Sequence, residues 1–190
     1  MPAVSRRLVE GDSVSSGHRH TWMGAGVAKL PRLVEPVRTA YLPGCDVEVR
    51  AQRSSGERDR VLIDAAITNM RAGPELPTGD PERFITLDPV LLGDGGASLW
   101  SHTERIGELR EWAPVAKLVS DNSLKPAERR EFHYAVSVSP DVDDPLNIEI
   151  VARNHRMTEE NARAMGICGR CPLEVETVRR RVKVTSGTSK

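Results

Sequence analysis

Aromatic residues are scarce, with two Phe, two Tyr and three Trp in a chain of 190 residues. Single-stranded nucleic acids are commonly held on aromatic stacking platforms, and this chain has little to build one from. Net charge is missing as well. The 27 basic and 27 acidic side chains balance, which removes the bulk electrostatic case for a nucleic-acid partner. Cysteine is limited to three residues, too few and of the wrong parity for a disulfide framework, so the expected setting is a reducing cytoplasm. No stretch approaches the apolar length of a membrane-spanning helix. The arginines near the N-terminus have no apolar run behind them, unlike a secretory signal. A membrane partner is therefore not expected. Walker A, G-x-G-x-x-G, G-x-S-x-G and H-E-x-x-H motifs are all absent, which takes away the direct arguments for catalysis and leaves an enzyme of unrecognised type as a trailing alternative.

What is present points to an α+β domain. Prolines (13) and glycines (15) are frequent enough to favour many turns over long helices. The pattern predicts a mainly antiparallel sheet of about five to six strands, one longer and one short helix, and an extended N-terminal arm. Residues 1–36 read as that arm because Ser, Gly and Pro interrupt every period. Residues 37–185 form the domain, and 186–190 a tail.

Strand periodicity is plain in several places. Cys45, Val47, Val49 and Ala51 alternate with polar residues, and Val61, Ile63, Ala65 and Ile67 repeat the pattern, so the two predict a hairpin with a long turn. Phe84 to Leu92 is a third strand, with Pro89 marking it as an edge or a break. Phe132 to Val138 and Leu146 to Ala152 predict a second hairpin, joined by the Asp-rich turn 140–145. Leu173 to Val184 is the last strand, and the shift of its apolar set from odd to even positions predicts a bulge near Val178. The longer helix is expected from Ser101, where Ser101 and Glu104 fit a capping box and Ile106, Leu109, Ala113 and Ala116 follow helical spacing. Thr158 caps the short helix, and Gly166 ends it.

Cys168-Gly169-Arg170-Cys171 is the motif with the most chemistry in it. Two thiolates at this spacing can share a zinc ion, but a structural site needs two more ligands. His155 is the nearest in sequence, with His18, His20 and Cys45 more remote. Zinc through Cys168 and Cys171 is thus the one cofactor the sequence offers, and two plain thiols at a helix-to-strand corner are the simpler expectation. Cys45 reads as a core thiol. Asp141, Asp143 and Asp144 crowd one turn but lack the rest of a calcium loop. His133 alternates away from its strand's apolar face and is expected at the surface.

Arg179, Arg180, Arg181 and Lys183 form a basic run on the last strand. They suit either a charged edge strand or an interface with a neighbouring subunit. Charge is unevenly spread, with an acidic middle between two basic ends, and opposed signs of this kind can steer subunits together. The sequence therefore predicts a non-enzymatic structural or assembly subunit of a larger homo- or hetero-oligomer, such as a virion-type shell, tube or connector component. Its partners would be protein subunits. A nucleic-acid-binding or regulatory module, stabilised by zinc, is the alternative.

Overall fold

The computed structural model describes residues 3–6, 15–18, 26–28, 30–56, 59–72, 74–139, 141–142 and 145–186. Two short strands near the start, β1 (Ala3–Arg6) and β2 (Ser15–His18), pair antiparallel with each other. A 3-10 turn at Pro31–Leu33 leads into α1 (Val34–Ala40). Half of the segment read as an arm lies outside the described residues. Of the rest, Gly26 and Ala28 are buried, and Gly26, at φ +77°, lies so close under the Tyr41 ring that a Cβ would sit 2.9 Å from it. Only glycine tolerates both conditions.

The body is two antiparallel sheets face to face around one core. The first has the order β10–β4–β3, with β3 at Cys45–Arg53, β4 at Arg60–Asn69 and β10 at Arg129–Ser137. In the second, β12 (Glu174–Lys183) pairs β11 (Asn147–His155), and β11 pairs β5 (Phe84–Leu92). The far side of β5 is shared by β6 (Ser98–Ser101) and β7 (Glu104–Ile106). A separate hairpin, β8 (Glu108–Glu111) with β9 (Lys117–Asp121), follows β7. Helix α2 (Glu159–Ala164) connects β11 to β12.

Alternation along each strand sends one set of side chains inward. Val47, Val61, Ile63 and Ile67 come from the first sheet, Ile85, Leu87, Leu91, Ile148 and Ile150 from the second, and all are at most 1% exposed. With β3, β4 and β10 as strands A, B and E, and β5, β11 and β12 as C, F and G, the order is that of an immunoglobulin-type sandwich. Among the described residues strand makes up 49% and helix 12%, which narrows the α+β expectation to a β-rich fold.

Three expectations change in instructive ways. The helix from Ser101 is instead β6 to β9. Of its supposed apolar stripe, Ile106 is buried at 1% while Leu109 lies open at 46%. Gly107 sits at φ +129°, with the Arg83 carbonyl and Pro77 where a side chain would go, so the chain turns there rather than winding on. The hairpin expected between β10 and β11 does not form. Both are strands, but β10 joins β4 and β11 lies between β5 and β12, so their connection crosses between sheets. Strand β5 is interior despite Pro89. His102 N–H donates to the Pro89 carbonyl at 3.1 Å, so the side of Pro89 that lacks a donor faces the break between β6 and β7, where no ladder bond is needed.

Other local readings hold. β3 and β4 are antiparallel neighbours. The register of β12 slips between the pairs Ala152–Val178 and Arg153–Glu176, leaving Thr177 as the extra residue of a bulge. Thr158 Oγ1 accepts from Asn161 N–H at 3.2 Å, and Gly166 takes φ +66° just past α2.

Candidate functional site

Cys168 and Cys171 lie in the turn after α2, where Ile167 N–H bonds back to the Ala162 carbonyl. Both are free thiols, Cys168 exposed and Cys171 half-buried. Arg156 Nη1 donates to Cys171 Sγ at 3.3 Å. Among the described residues, no group of three or more His, Cys, Asp or Glu could hold a metal ion. His20, Asp143 and Asp144 lie outside the described residues, as does the side chain of His18. Cys45 is a core thiol, pushed up to about 11 by burial.

His155 is occupied elsewhere. Its ring stacks on Phe84 with centroids 4.3 Å apart, and the Arg105 guanidinium lies 4.4 Å from the centre of that same Phe84 ring. Nε2 is 3.0 Å from Thr86 Oγ1 and Nδ1 is 3.4 Å from Glu174. Hydroxyl, imidazole and carboxylate thus meet in an order that resembles a nucleophile–base–acid triad. The Thr86 hydroxyl, however, donates to Asp88 at 3.0 Å, so its proton is not offered to the imidazole. Asp88 also accepts from Thr103 and from Arg153. The cluster is a cross-strand latch joining β5, β11 and β12 on the outer face of their sheet.

Burial holds the His155 imidazole below its ordinary range, with Glu174 and Asp88 offsetting part of the effect. A histidine depressed in the folded state takes up its proton first in the unfolded chain. Its contribution is complete above about pH 6.5 and fades as pH falls below that. His155→Gln is expected to narrow the gap between melting temperatures at pH 8 and pH 5. An unchanged gap in differential scanning calorimetry would refute this.

A second cluster spans the opposite flank. Trp100 stands 5.2 Å from the Tyr134 ring and 6.1 Å from that of His102. Glu104 Oε1 lies 3.0 Å from His102 Nε2 and accepts from the Tyr134 hydroxyl at 3.2 Å. Burial and the neighbouring Glu104 raise the Tyr134 phenol well above its usual range, so it stays a hydrogen-bond donor at any physiological pH. These rings tie β10 of one sheet to β6 and β7 of the other. His133 is at the surface as expected, 2.7 Å from Asp64 on the outer face of the first sheet.

The basic run sits on β12, the outermost strand of its sheet. Arg179 bonds Glu176 and Glu149, which raises its guanidinium and lowers Glu176. Arg180 points the other way and reaches Asp46 of β3 at 3.0 Å. Among the described residues, Arg181 and Lys183 take part in no ion pair.

Hairpin β8–β9 was not foreseen, and it is the most exposed apolar feature of the sandwich. Trp112 and Val115 at its tip are 43% and 76% exposed, and Leu109, Leu118 and Val119 on its arms are each nearly half exposed. It pairs with no further strand among the described residues. Its base is fixed by Asn122, which accepts from Gly107 N–H at 2.8 Å and donates to the Arg105 carbonyl at 2.7 Å. Glycine and proline inside the supposed helix, at Gly107 and Pro114, were the signal that could have revealed it.

No family model and no curated protein matches the chain. Its fold is similar to that of a penta-heme cytochrome c552 from Thermochromatium tepidum, with a TM-score of 0.61 and 15% identity. The match covers 74% of this chain and 40% of that one, so the chain spans about two-fifths of the similar protein. Its own C-x-x-C is followed by Pro172, where c-type haem attachment calls for histidine.

Proposed function

We propose that the chain is a non-catalytic β-sandwich module that docks onto another protein and serves as a structural part of a larger assembly. The observation that supports this reading is hairpin β8–β9. Five large apolar side chains stand in solvent within eleven residues, from Leu109 to Val119, on a two-stranded element that joins no larger sheet among the described residues. Exposed apolar clusters of this kind mark interaction surfaces, and isolated hairpins are marginal alone. The partner class we favour is a haem-bearing protein, since the similar solved structure is a multi-haem cytochrome and this chain has no C-x-x-C-H of its own. Arg179 and Arg180 are held in ion pairs with carboxylates, which favours protein docking over nucleic-acid binding.

Lys117, paired with Glu111 beside the hairpin's tip, gives a direct test. Cross-linking mass spectrometry of the full chain, produced in its native host, is expected to join Lys117 to one haem protein. The double variant Trp112→Ser/Val115→Asp should lose that cross-link and co-purification while keeping its melting temperature. A complex that survives the double change would refute docking through the hairpin.

A further inference from the structure

The outer edge of β12 runs from Glu174 to Lys183 without a strand partner among the described residues. It ends where Thr185 exchanges hydrogen bonds with Ala51 and Arg53 of β3. Its side chains divide by face. Glu174, Glu176, Arg179, Arg181 and Lys183 lie on the outer face, opposite His155, Arg153, Val151, Glu149 and Asn147 of β11. Val175, Val178, Arg180 and Val182 face inward, and Thr177 is the bulged residue. The outer face is thus acidic at one end and basic at the other, with Arg181 and Lys183 uncompensated among the described residues.

We propose that β12 is a self-complementary docking edge, and that its occupant is the β12 of a second copy of this chain, added antiparallel across a two-fold axis at Arg179. Antiparallel pairing about that axis sets Glu174 opposite Lys183 of the copy, Glu176 opposite Arg181 and Val175 opposite Val182, each twice. Every one of these pairs joins residues of the same face, because the Thr177 bulge recurs symmetrically in both strands. At the centre Arg179 meets its own counterpart, and each is already neutralised by Glu176 and Glu149 of its own chain. Charged side chains and bulges commonly guard an edge strand, but in this register the charges of one copy meet opposite charges of the other. One edge of the other sheet, β10, runs from Arg129 to Ser137. Aligned on itself it puts Arg129 against Ser137 and Glu131 against Ala135, with no opposite charges matched. The inference rests on the assembly reading but on a different surface from the hairpin.

Reciprocal charge reversal tests it. Sedimentation of the full chain across a wide concentration range is expected to show a dimer. Arg181→Glu/Lys183→Glu and Glu174→Lys/Glu176→Lys should each weaken it by at least about tenfold, since four attractive pairs become repulsive. Mixed in equal amounts, the two variants should form a heterodimer, because all four pairs are then opposite in sign. That rescue also shows that neither variant has merely unfolded. A monomeric wild-type chain, a dimer indifferent to both variants, or a mixture that stays monomeric would each overturn the proposal. The hairpin variant Trp112→Ser/Val115→Asp should leave this dimer unchanged, so failure here and failure of hairpin docking are separate results.

Discussion

Asn69→Ala is expected to destabilise the protein by about 2–3 kcal/mol and lower its melting temperature by roughly 5–10 °C. Asn69 ends β4 and is 1% exposed. Its Nδ2 donates to the Pro74 carbonyl at 3.0 Å and to the Leu124 carbonyl at 3.1 Å. Its backbone N–H donates to the Glu128 carbonyl, and its own carbonyl accepts from Ala127 N–H. One residue thus fastens two loops over the end of the core, the segment after β4 and the segment before β10. Leu76 and Leu124, which exchange backbone hydrogen bonds with each other, close that end as buried apolar plugs. Alanine would leave the Pro74 carbonyl without its donor and open a small void. The Leu124 carbonyl would keep Leu76 N–H, so the loss is moderated. Thermal unfolding checks the size. A drop under about 2 °C would show that the loops hold without this side chain.

The parts of this fold that were legible share one property: a buried face on one side. β3 and β4 alternate cleanly because the opposing sheet covers their inner residues and water covers the rest. The Thr177 bulge showed as a phase change because Val175 and Val182 both have to face inward. Strand partners were not legible. Alternation in β10 and β11 reports which side chains point inward, and that requirement is the same whether the neighbour is the next strand in sequence or a distant one. The segment 101–121 misled for a related reason. Exposed Leu109 and buried Ile106 look alike in a sequence, so a hairpin with solvent-exposed apolar side chains imitates a core helix. In β12 the alternation puts Arg179 and Arg181 on one face and Arg180 on the other. Periodicity does not show the Phe84–His155 stack or the Trp100–Tyr134 flank because those contacts join strands far apart in the chain.

Leu87→Ala is expected to produce the largest loss, about 2–5 kcal/mol, while Val115→Ala should change stability by less than about 0.5 kcal/mol. Leu87 lies in the middle of β5, fully buried, opposite Ala152 of β11 on one side and Glu104 of β7 on the other. Ala152 is small and tied into two ladders, and Ile85 and Leu91 on the same face are themselves packed without exposure above 1%, so the site can collapse little around a missing isobutyl group. Part of the loss is transfer free energy and part is the cavity left behind. Val115 touches solvent on most of its surface, and truncating it exposes nothing new. Denaturant unfolding of both variants should show a lower midpoint for Leu87→Ala with little change in slope, and an unchanged curve for Val115→Ala. The contrast bears on function. If the hairpin's apolar side chains contributed to folding, Val115→Ala would destabilise the sandwich, and their exposure would need no partner to explain it. A neutral result in stability, together with lost co-purification in the Trp112→Ser/Val115→Asp chain, would leave binding as the reason for placing them in water.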